Sequence, residues 1–509
     1  MAYYLGIDVG TSGTKTLVMD SAGGVLATAT GEHRDPAAPR PSWSEQEPQD
    51  WWAAAVKAVK AVIAKARIDG RKIAGVGLSG QMHGLVCLAD GVEPLRAAII
   101  WNDQRTAGQA REIERAAGGK AGLIGLVGNV AMTSFTLTKL LWVRRHEPAV
   151  YRRIRHILLP KDYVRLRLTG AYAGDVSDMS GTLMLDQRKR DWSEAIIRLF
   201  KLDRDMLPPV YESHEVTGEI APSVARLLGL AAGTPVVAGA GDQPAGAVGN
   251  GIVRAGRVSA TMGTSGVVFV HSPRYVTDPA GRVQTFCSAV AGEYCMFGCI
   301  LAAGGSLQWF RNTLCAAEIA QAKKQGIDPY VLLDAQAAKA PPGCEGLFFL
   351  PYLTGERTPH ADPHARAGWV GITARTSRNE LVRAVMEGAT FAMNDALTAF
   401  RERGVRPSEI RLSGGGARSP FWRQMQADIY GSTCATVHSE EGPAYGVAIL
   451  AAVGTGAYKS VPQACDAIIK LNRTIRPRPA ARKVYARAYQ QYRRLYPALK
   501  EEFPRLAAL

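Results

Sequence analysis

The sequence predicts a two-lobed α/β protein, and three observations carry that reading. The chain has 509 residues, beyond the ~250–300 at which a single core stops growing, so two domains are expected. Strand-forming runs alternate with helical periodicity along much of its length. The tetrapeptide Gly-Thr-Ser-Gly occurs twice, at Gly10–Gly13 and Gly263–Gly266, each time between two strand-like runs. A strand, a glycine–hydroxyl turn and a returning strand make a β-hairpin, so each half is expected to carry one.

The elements follow in order. Residues 3–9, 14–20 and 25–30 read as three strands, the last two joined by the turn Ser21-Ala22-Gly23-Gly24. Pro48–Arg67 is rich in Ala, Lys and Trp at helical spacing and reads as a helix, followed by strands at Ile73–Ser79 and Ala97–Trp101. The second half repeats the outline. Strands flank Gly263–Gly266, and Ile300–Asn312 and Pro329–Ala340 read as helices. Leu381, Val385, Ala389, Ala392, Ala396 and Phe400 place one apolar face on a long helix, Asn379–Arg403. Ile410–Ser413 reads as a buried strand running into Gly414-Gly415-Gly416, with the helix Pro420–Tyr430 behind it. The boundary is expected in the Gly-rich segment around Gly239–Gly256, giving domains 1–246 and 247–509.

Composition excludes several classes. Hydrophobic content of 47% and charged content of 21% are those of a globular protein. No run of about 18 apolar residues exists to cross a bilayer, and Asp8 stands where the apolar core of a signal peptide would run, so a cytoplasmic protein without a membrane partner is expected. The eight cysteines include no Cys-x-x-Cys pair and read as buried thiols of a reducing compartment. His360 and His364 bracket Asp362 without a second ligand pair, which does not favour zinc. The net charge of +16 lies largely in surface-type helices such as those carrying Arg144-Arg145 and Arg152-Arg153, and in the Arg-rich tail. No zinc-finger spacing or aromatic–basic RNA motif accompanies it, so nucleic acid is not an expected partner; a basic surface that steers anionic nucleotides is. The Arg- and Tyr-rich helix from about Lys483 to Glu502 packs either on its own domain or on a partner copy, which puts a homodimer among the expectations.

The chemistry-bearing residues cluster at strand ends. Concave runs of backbone N–H groups bind anions without side-chain charge, so the two hairpin tips are expected to cradle phosphate. Thr11, Ser12 and Gly13 form the first cradle, Gly263 and Thr264 the second. Asp8 ends the first strand immediately before its tip, where a carboxylate suits hydrated Mg²⁺ or, alternatively, its own turn. Lys15, just past the tip, neutralises phosphate or faces solvent. Asp242 follows the strand Pro235–Ala238 and a glycine-rich loop, placed for a general base that takes a hydroxyl proton or for an N-cap of the helix behind it. Gly414–Ala417 opens a helix with few side chains, which admits a flat ring such as adenine. Gln81 and His83, with the exposed backbone of their loop, follow the strand Ile73–Ser79 and form a polyol-reading surface, His83 being alternatively structural; Asp103 ends another strand, free for ligand or paired with Arg105.

Together these motifs resemble the FGGY carbohydrate kinases. The resemblance runs through Asp8–Lys15, Met262–Gly266 and Leu412–Ser419, and through two longer signatures, Ser134–His146 and Ala367–Glu387, covering roughly residues 3–455. It implies two actin-like, ribonuclease-H-like lobes with the catalytic cleft between them, and ATP and Mg²⁺ as cofactors. Gln81–Gly84, Trp43–Gln46, Leu159–Tyr163 and Gly355–His360 are similar to the branch that phosphorylates D-xylulose at its 5-hydroxyl. L-ribulose, D-ribulose and gluconate are the alternative sugars, and a non-catalytic nucleotide or sugar sensor is the alternative of another class. By the same resemblance Gln81, Met82, His83, Asp103, Asp242 and Gln243 hold the sugar, and Asp242 is the proton acceptor. Thr11, Ser12, Gly13, Lys15, Gly263, Thr264, Gly415, Gly416 and Ala417 hold ATP, while Asp8 and Asp242 hold the metal. Many family members carry Asn where Gln243 stands.

Overall fold

The computed structural model describes residues 2–438 and 441–508. They form two compact units: residues 2–254, 271–295 and 441–470 make the first, and residues 255–270, 296–438 and 471–508 the second.

The first unit is built on a seven-stranded sheet. Its strand order is Val216–Glu219, Pro235–Val237, Ile73–Gly80, Tyr3–Val9, Gly13–Asp20 and Val25–Glu32, with the short strand Ala240–Gly241 also pairing with Ile73–Gly80. Tyr3–Val9 and Gly13–Asp20 are the antiparallel hairpin expected from the first tetrapeptide, and Ile73–Gly80 lies parallel to Tyr3–Val9. The expected strands hold to within a few residues, except that Ala97–Trp101 shrinks to the pair Ala98–Ile99.

Side-chain alternation divides this sheet into two faces. Leu5, Ile7, Val9, Val76 and Leu78 point into a core shared with Trp51 of the helix Pro48–Ala66. Tyr4, Leu17 and Met19 point the other way, against Ala444, Val447 and Ala448 of the helix Pro443–Gly454. That helix packs unusually close because the sheet offers it glycines: a Cβ at Gly6 would stand 1.9 Å from Ala444 O, and one at Gly77 2.0 Å from Val447 O. Asp8 and Ser79 continue the Gly6 and Gly77 rows on that same face.

The second unit repeats the order. Tyr294–Ile300, Gly266–Ser272, Arg257–Met262, Glu409–Ser413, Cys434–Val437 and Leu471–Ile475 are neighbours in sequence of hydrogen bonding, again a hairpin followed by two parallel strands and an antiparallel edge. The helix expected from Ile300 begins instead at Gly304 and runs to Leu314. Tyr294–Ile300 is a strand, as its aromatic and branched residues favour. The long helix spans Arg378–Glu402 and starts at a capping box of Ser377 and Glu380. The C-terminal helix, Pro479–Leu499, packs on it: Tyr485 Oη donates to Glu387 Oε1 at 2.8 Å and Tyr489 Oη to Asp395 Oδ1 at 2.6 Å. All eight cysteines are thiols, seven of them buried. Among the described residues no helix is long and apolar enough to cross a membrane.

Candidate functional site

Three neighbouring strands of the first unit end together. Asp8 lies opposite Lys15 on one side and Ser79 on the other, and Ser79 in turn lies beside Ala240. Asp242 follows two residues later, so two strand ends bring Asp8 and Asp242 to one edge of the sheet. Gly239 permits the approach: it has φ +77°, and a Cβ there would stand 1.9 Å from Leu78 O.

The two carboxyls keep a partial opening to solvent but are otherwise enclosed by protein. Enclosure pushes Asp8 up to about 6, with Ser79 and Lys15 opposing. It pushes Asp242 up to about 7, and the negative charge of Asp8 adds to the rise, while the Gln243 backbone and side chain oppose it. Asp8 Oδ1 is shielded from solvent and has no hydrogen-bond partner, so a carboxylate oxygen there lacks the donor that burial ordinarily demands. Asp242 does not cap the helix behind it. Gly241 is the N-cap residue and Asp242 the first residue of the helix Asp242–Gly249, with no side-chain capping bond.

The segment ahead of Asp242 hangs on a buried ionic cluster. Lys161 Nζ stands 2.6 Å from Asp162 Oδ1, 2.8 Å from Asp175 Oδ1 and 3.8 Å from Asp178 Oδ2, and it donates to Ala238 O at 3.3 Å. Asp175 Oδ2 accepts from the Ser177 amide at 2.8 Å, and Ser177 Oγ accepts from the Gly241 amide at 3.3 Å. The loop is thus gripped on both sides of Gly239. Lys161 and Arg165 face three carboxyls, all fully buried. Burial, together with the charges of Asp175, Asp162 and Asp242, holds Asp178 well above the carboxylate range. Lys161 and Asp162 were visible in the sequence as a motif; their link to Asp242 was not, because Asp175 and Asp178 reach them only through the fold.

Gln81, Met82 and His83 extend from the strand next to Asp8. The Gln81 amide donates to Val9 O at 2.9 Å, and its side-chain Nε2 donates to Gln46 Oε1 at 2.8 Å, leaving Oε1 buried without a partner. Met82 is buried, and a Cβ at Gly241 would meet its Cγ at 2.8 Å, which places it against the Asp242 loop. His83 has φ +71° and its Nδ1 lies 3.0 Å from Gly181 O, the ring set edge-on to Phe135. Lys139 Nζ donates to His83 O at 2.7 Å and also to Ser134 O. Burial pulls Lys139 down to about 7. Asp103 is fully occupied by the chain itself. It accepts from the Ser44 and Arg105 amides at 2.6 and 2.9 Å and pairs with the Arg105 guanidinium at 2.7 Å.

At the first hairpin tip the Gly10 amide donates to Gly13 O at 3.0 Å. Thr11 O accepts from Gln46 Nε2 at 2.7 Å, and Thr11 Oγ1 accepts from Trp101 Nε1 at 3.0 Å. Ser12 is exposed, and Lys15 pairs with Glu441 at 2.7 Å, a partner the sequence did not suggest.

In the second unit the other tip and the glycine turn prove to be neighbours. Thr261 lies opposite Ser413 across parallel strands, and their hydroxyls are 2.8 Å apart. A Cβ at Gly414 would stand 2.6 Å from Met262 O, and one at Gly416 2.6 Å from Met262 Sδ. Gly263 O and Thr264 O accept from the Gly304 and Gly305 amides at 2.8 and 2.9 Å. Gly415–Ala417 is a short 3₁₀ turn. The α-helix begins only at Pro420, capped by Ser419 Oγ, which accepts from the Trp422 amide at 2.9 Å.

The sequence pattern of the N-terminal domain of the FGGY family of carbohydrate kinases matches residues 3–249, and that of the C-terminal domain matches residues 258–455. The xylulose kinase of Escherichia coli (strain K12) is 40% identical over 498 residues, which cover 97% of this chain and 99% of that one. The crystal structure of a xyloylose kinase from Brucella ovis is 36% identical and covers 98% of this chain and 99% of its own, with a TM-score of 0.90. That of a gluconate kinase from Lactobacillus acidophilus is 25% identical and covers 99% of both, also with a TM-score of 0.90. The expected fold, two α/β lobes of the actin-like ATPase type, agrees with these likenesses and with the repeated strand order.

Proposed function

The chain belongs to the FGGY family of carbohydrate kinases, and from that premise we propose that it transfers the γ-phosphoryl group of ATP to the terminal 5-hydroxyl of D-xylulose, giving D-xylulose 5-phosphate and ADP. The observation that carries the reading is the pair of raised carboxyls, Asp8 and Asp242, at adjoining strand ends. A general base works best with a pKa near the operating pH, and Asp242, at about 7, meets that requirement.

Asp242 accepts the hydroxyl proton as the sugar oxygen attacks the γ-phosphorus and the bond to the ADP oxygen breaks, and it ends the step as the carboxylic acid. Gln81, Met82, His83 and Gln243 hold the sugar against it. The backbone amides and hydroxyls of both Gly-Thr-Ser-Gly tips receive phosphate oxygens, with Lys15 beside the first. Gly415, Gly416 and Ala417 leave room for the adenosine. The orphaned Asp8 oxygen suits Mg²⁺, which takes one or two carboxylates and keeps several waters; Asp8, with Asp242 near it, would hold the ion. When bound, Mg²⁺ supplies charge neutralisation on the phosphate oxygens. Asp103, closed off by Ser44 and Arg105, shapes the wall rather than meeting the sugar.

The sugar is tested by a panel of D-xylulose, L-ribulose, D-ribulose and gluconate with coupled detection of ADP. The highest kcat/KM is expected for D-xylulose; a preference for any other overturns the substrate, and no ADP from any of them overturns the enzyme in favour of a sensor. The base is tested by pH. The acid form of Asp242 cannot accept a proton, so kcat/KM is expected to fall tenfold per pH unit below about 7. Asp8→Asn removes the negative charge that raises Asp242. The residual kcat/KM of that variant should therefore hold its plateau to lower pH, with its acid limb displaced below the wild-type one.

A further inference from the structure

The second unit carries a groove of about 1100 Å³ that none of the candidate site residues lines. Three segments form it: the end of the long helix with the loop Val405–Pro407, the residues Ile429–Ser432 that close the helix Pro420–Tyr430, and one face of the helix Pro479–Leu499. Six of its lining residues are arginines, at 401, 406, 482, 487, 493 and 494, and none is acidic. Arg493 has a carboxylate at hand, Glu402 at 3.6 Å. For Arg406, Arg482, Arg487 and Arg494 no ion pair exists among the described residues.

The floor is rigid. Arg401 donates through Nη2 to Tyr430 O at 2.6 Å and through Nη1 to Asn394 Oδ1 at 3.2 Å. It thereby covers the carbonyl end of a helix, whose partial negative charge would otherwise repel an anion. Burial lowers the pKa of Arg401, Tyr489 opposes, and the neighbouring Arg482 lowers it further. Gathering like charges in a concavity is unfavourable until a counter-charge enters, and planar guanidinium forks match phosphate oxygens in pairs.

The groove lies away from the glycine turn. Arg406 and Pro407 precede the strand Glu409–Ser413, whereas Gly414 follows it; Gly431 ends the helix Pro420–Tyr430, whereas Ala417 precedes it. A five-residue strand and an eleven-residue helix each span about 16 Å. From this geometry we propose that the groove is a second anion site, separate from the glycine turn, which takes a small molecule bearing two or more phosphoryl groups.

The test is calorimetric titration of the full chain, held in a saturating non-hydrolysable ATP analogue, with inorganic tripolyphosphate, a hexose bisphosphate and orthophosphate in separate arms. One site per chain is expected for tripolyphosphate or the hexose bisphosphate, and whichever binds tighter identifies an inorganic or a metabolite source. Charge reversal at Arg487→Glu with Arg494→Glu should weaken that binding at least about 30-fold while leaving the melting temperature and kcat unchanged. The proposal is overturned if the heat disappears once the analogue is present, since the polyanion then occupied only the catalytic phosphate cradle. It is equally overturned if the double variant binds like the wild type, or if a short DNA duplex is retained and both small polyanions are not.

Discussion

Asp242→Ala is expected to lower kcat about 10³-fold, within the range general-base removal commonly produces, while ATP binding measured by calorimetry changes little. Unchanged turnover in that variant would remove Asp242 from the mechanism. The more conservative Asp242→Asn separates catalysis from folding. The folded carboxyl sits near 7, above its ordinary 3.8, so the folded chain holds this proton more tightly than the unfolded one. Ionisation of Asp242 therefore costs stability progressively as pH rises from about 4 to about 7. The Asn variant escapes that cost, and its melting temperature should exceed the wild type's by ~2–4 °C at pH 8 and by nothing at pH 4. An inactive protein that is more stable than its parent is the outcome expected of a residue kept for chemistry. A loss of stability at pH 8 would instead mark Asp242 as structural.

Lys161→Met is expected to produce the largest loss of stability of any single substitution in the first unit. Removing one partner from a buried ionic cluster typically costs 3–5 kcal/mol, because the remaining charges lose their compensation. Here Asp162 and Asp175 would be left facing Asp178 with Arg165 as their one remaining cation among the described residues, all fully buried. Thermal scanning should show the melting temperature falling by roughly 10 °C or more, and Lys161→Met with Asp162→Asn should recover part of it, as coupled neighbours do. The same variant should lower kcat, since Lys161 holds Ala238 O just ahead of Asp242. Preserved kcat at a temperature where the variant remains folded would show that the cluster holds the fold together without positioning Asp242.

How far these roles can be read from residues alone depends on the range of the interaction. The hairpins are local: four residues between two strand-forming runs leave few alternatives, and both formed at the expected places. Asp8 and Asp242 stand out for the same reason, each within two residues of a glycine at a strand end. The Lys161 cluster is invisible in this way, because Asp175, Ser177 and Asp178 become its partners only after several elements have packed. Asp103 shows the opposite limit. A strand-end carboxylate in a loop dense with hydrogen-bonding groups is equally suited to a ligand or to its own chain, and only the Ser44 amide, 59 residues away, decides that its oxygens are taken. The helix expected from Ile300 failed on a related point: its start depends on Gly304 and Gly305 finding the carbonyls of a turn made some forty residues earlier.

The close seat of Pro443–Gly454 on Gly6 and Gly77 bears on how the chain matures during synthesis. The strands of the first sheet leave the ribosome early, but the helix that covers one of their faces emerges only after nearly all of the second unit has been made. Until then that face is bare, and its Tyr4, Leu17 and Met19 row is available to unproductive contacts. Expression of residues 1–254 alone should accordingly give a product that aggregates, and supplying the missing helix by circular permutation, ahead of Tyr3, is the direct way to let the first unit close on itself as it is made.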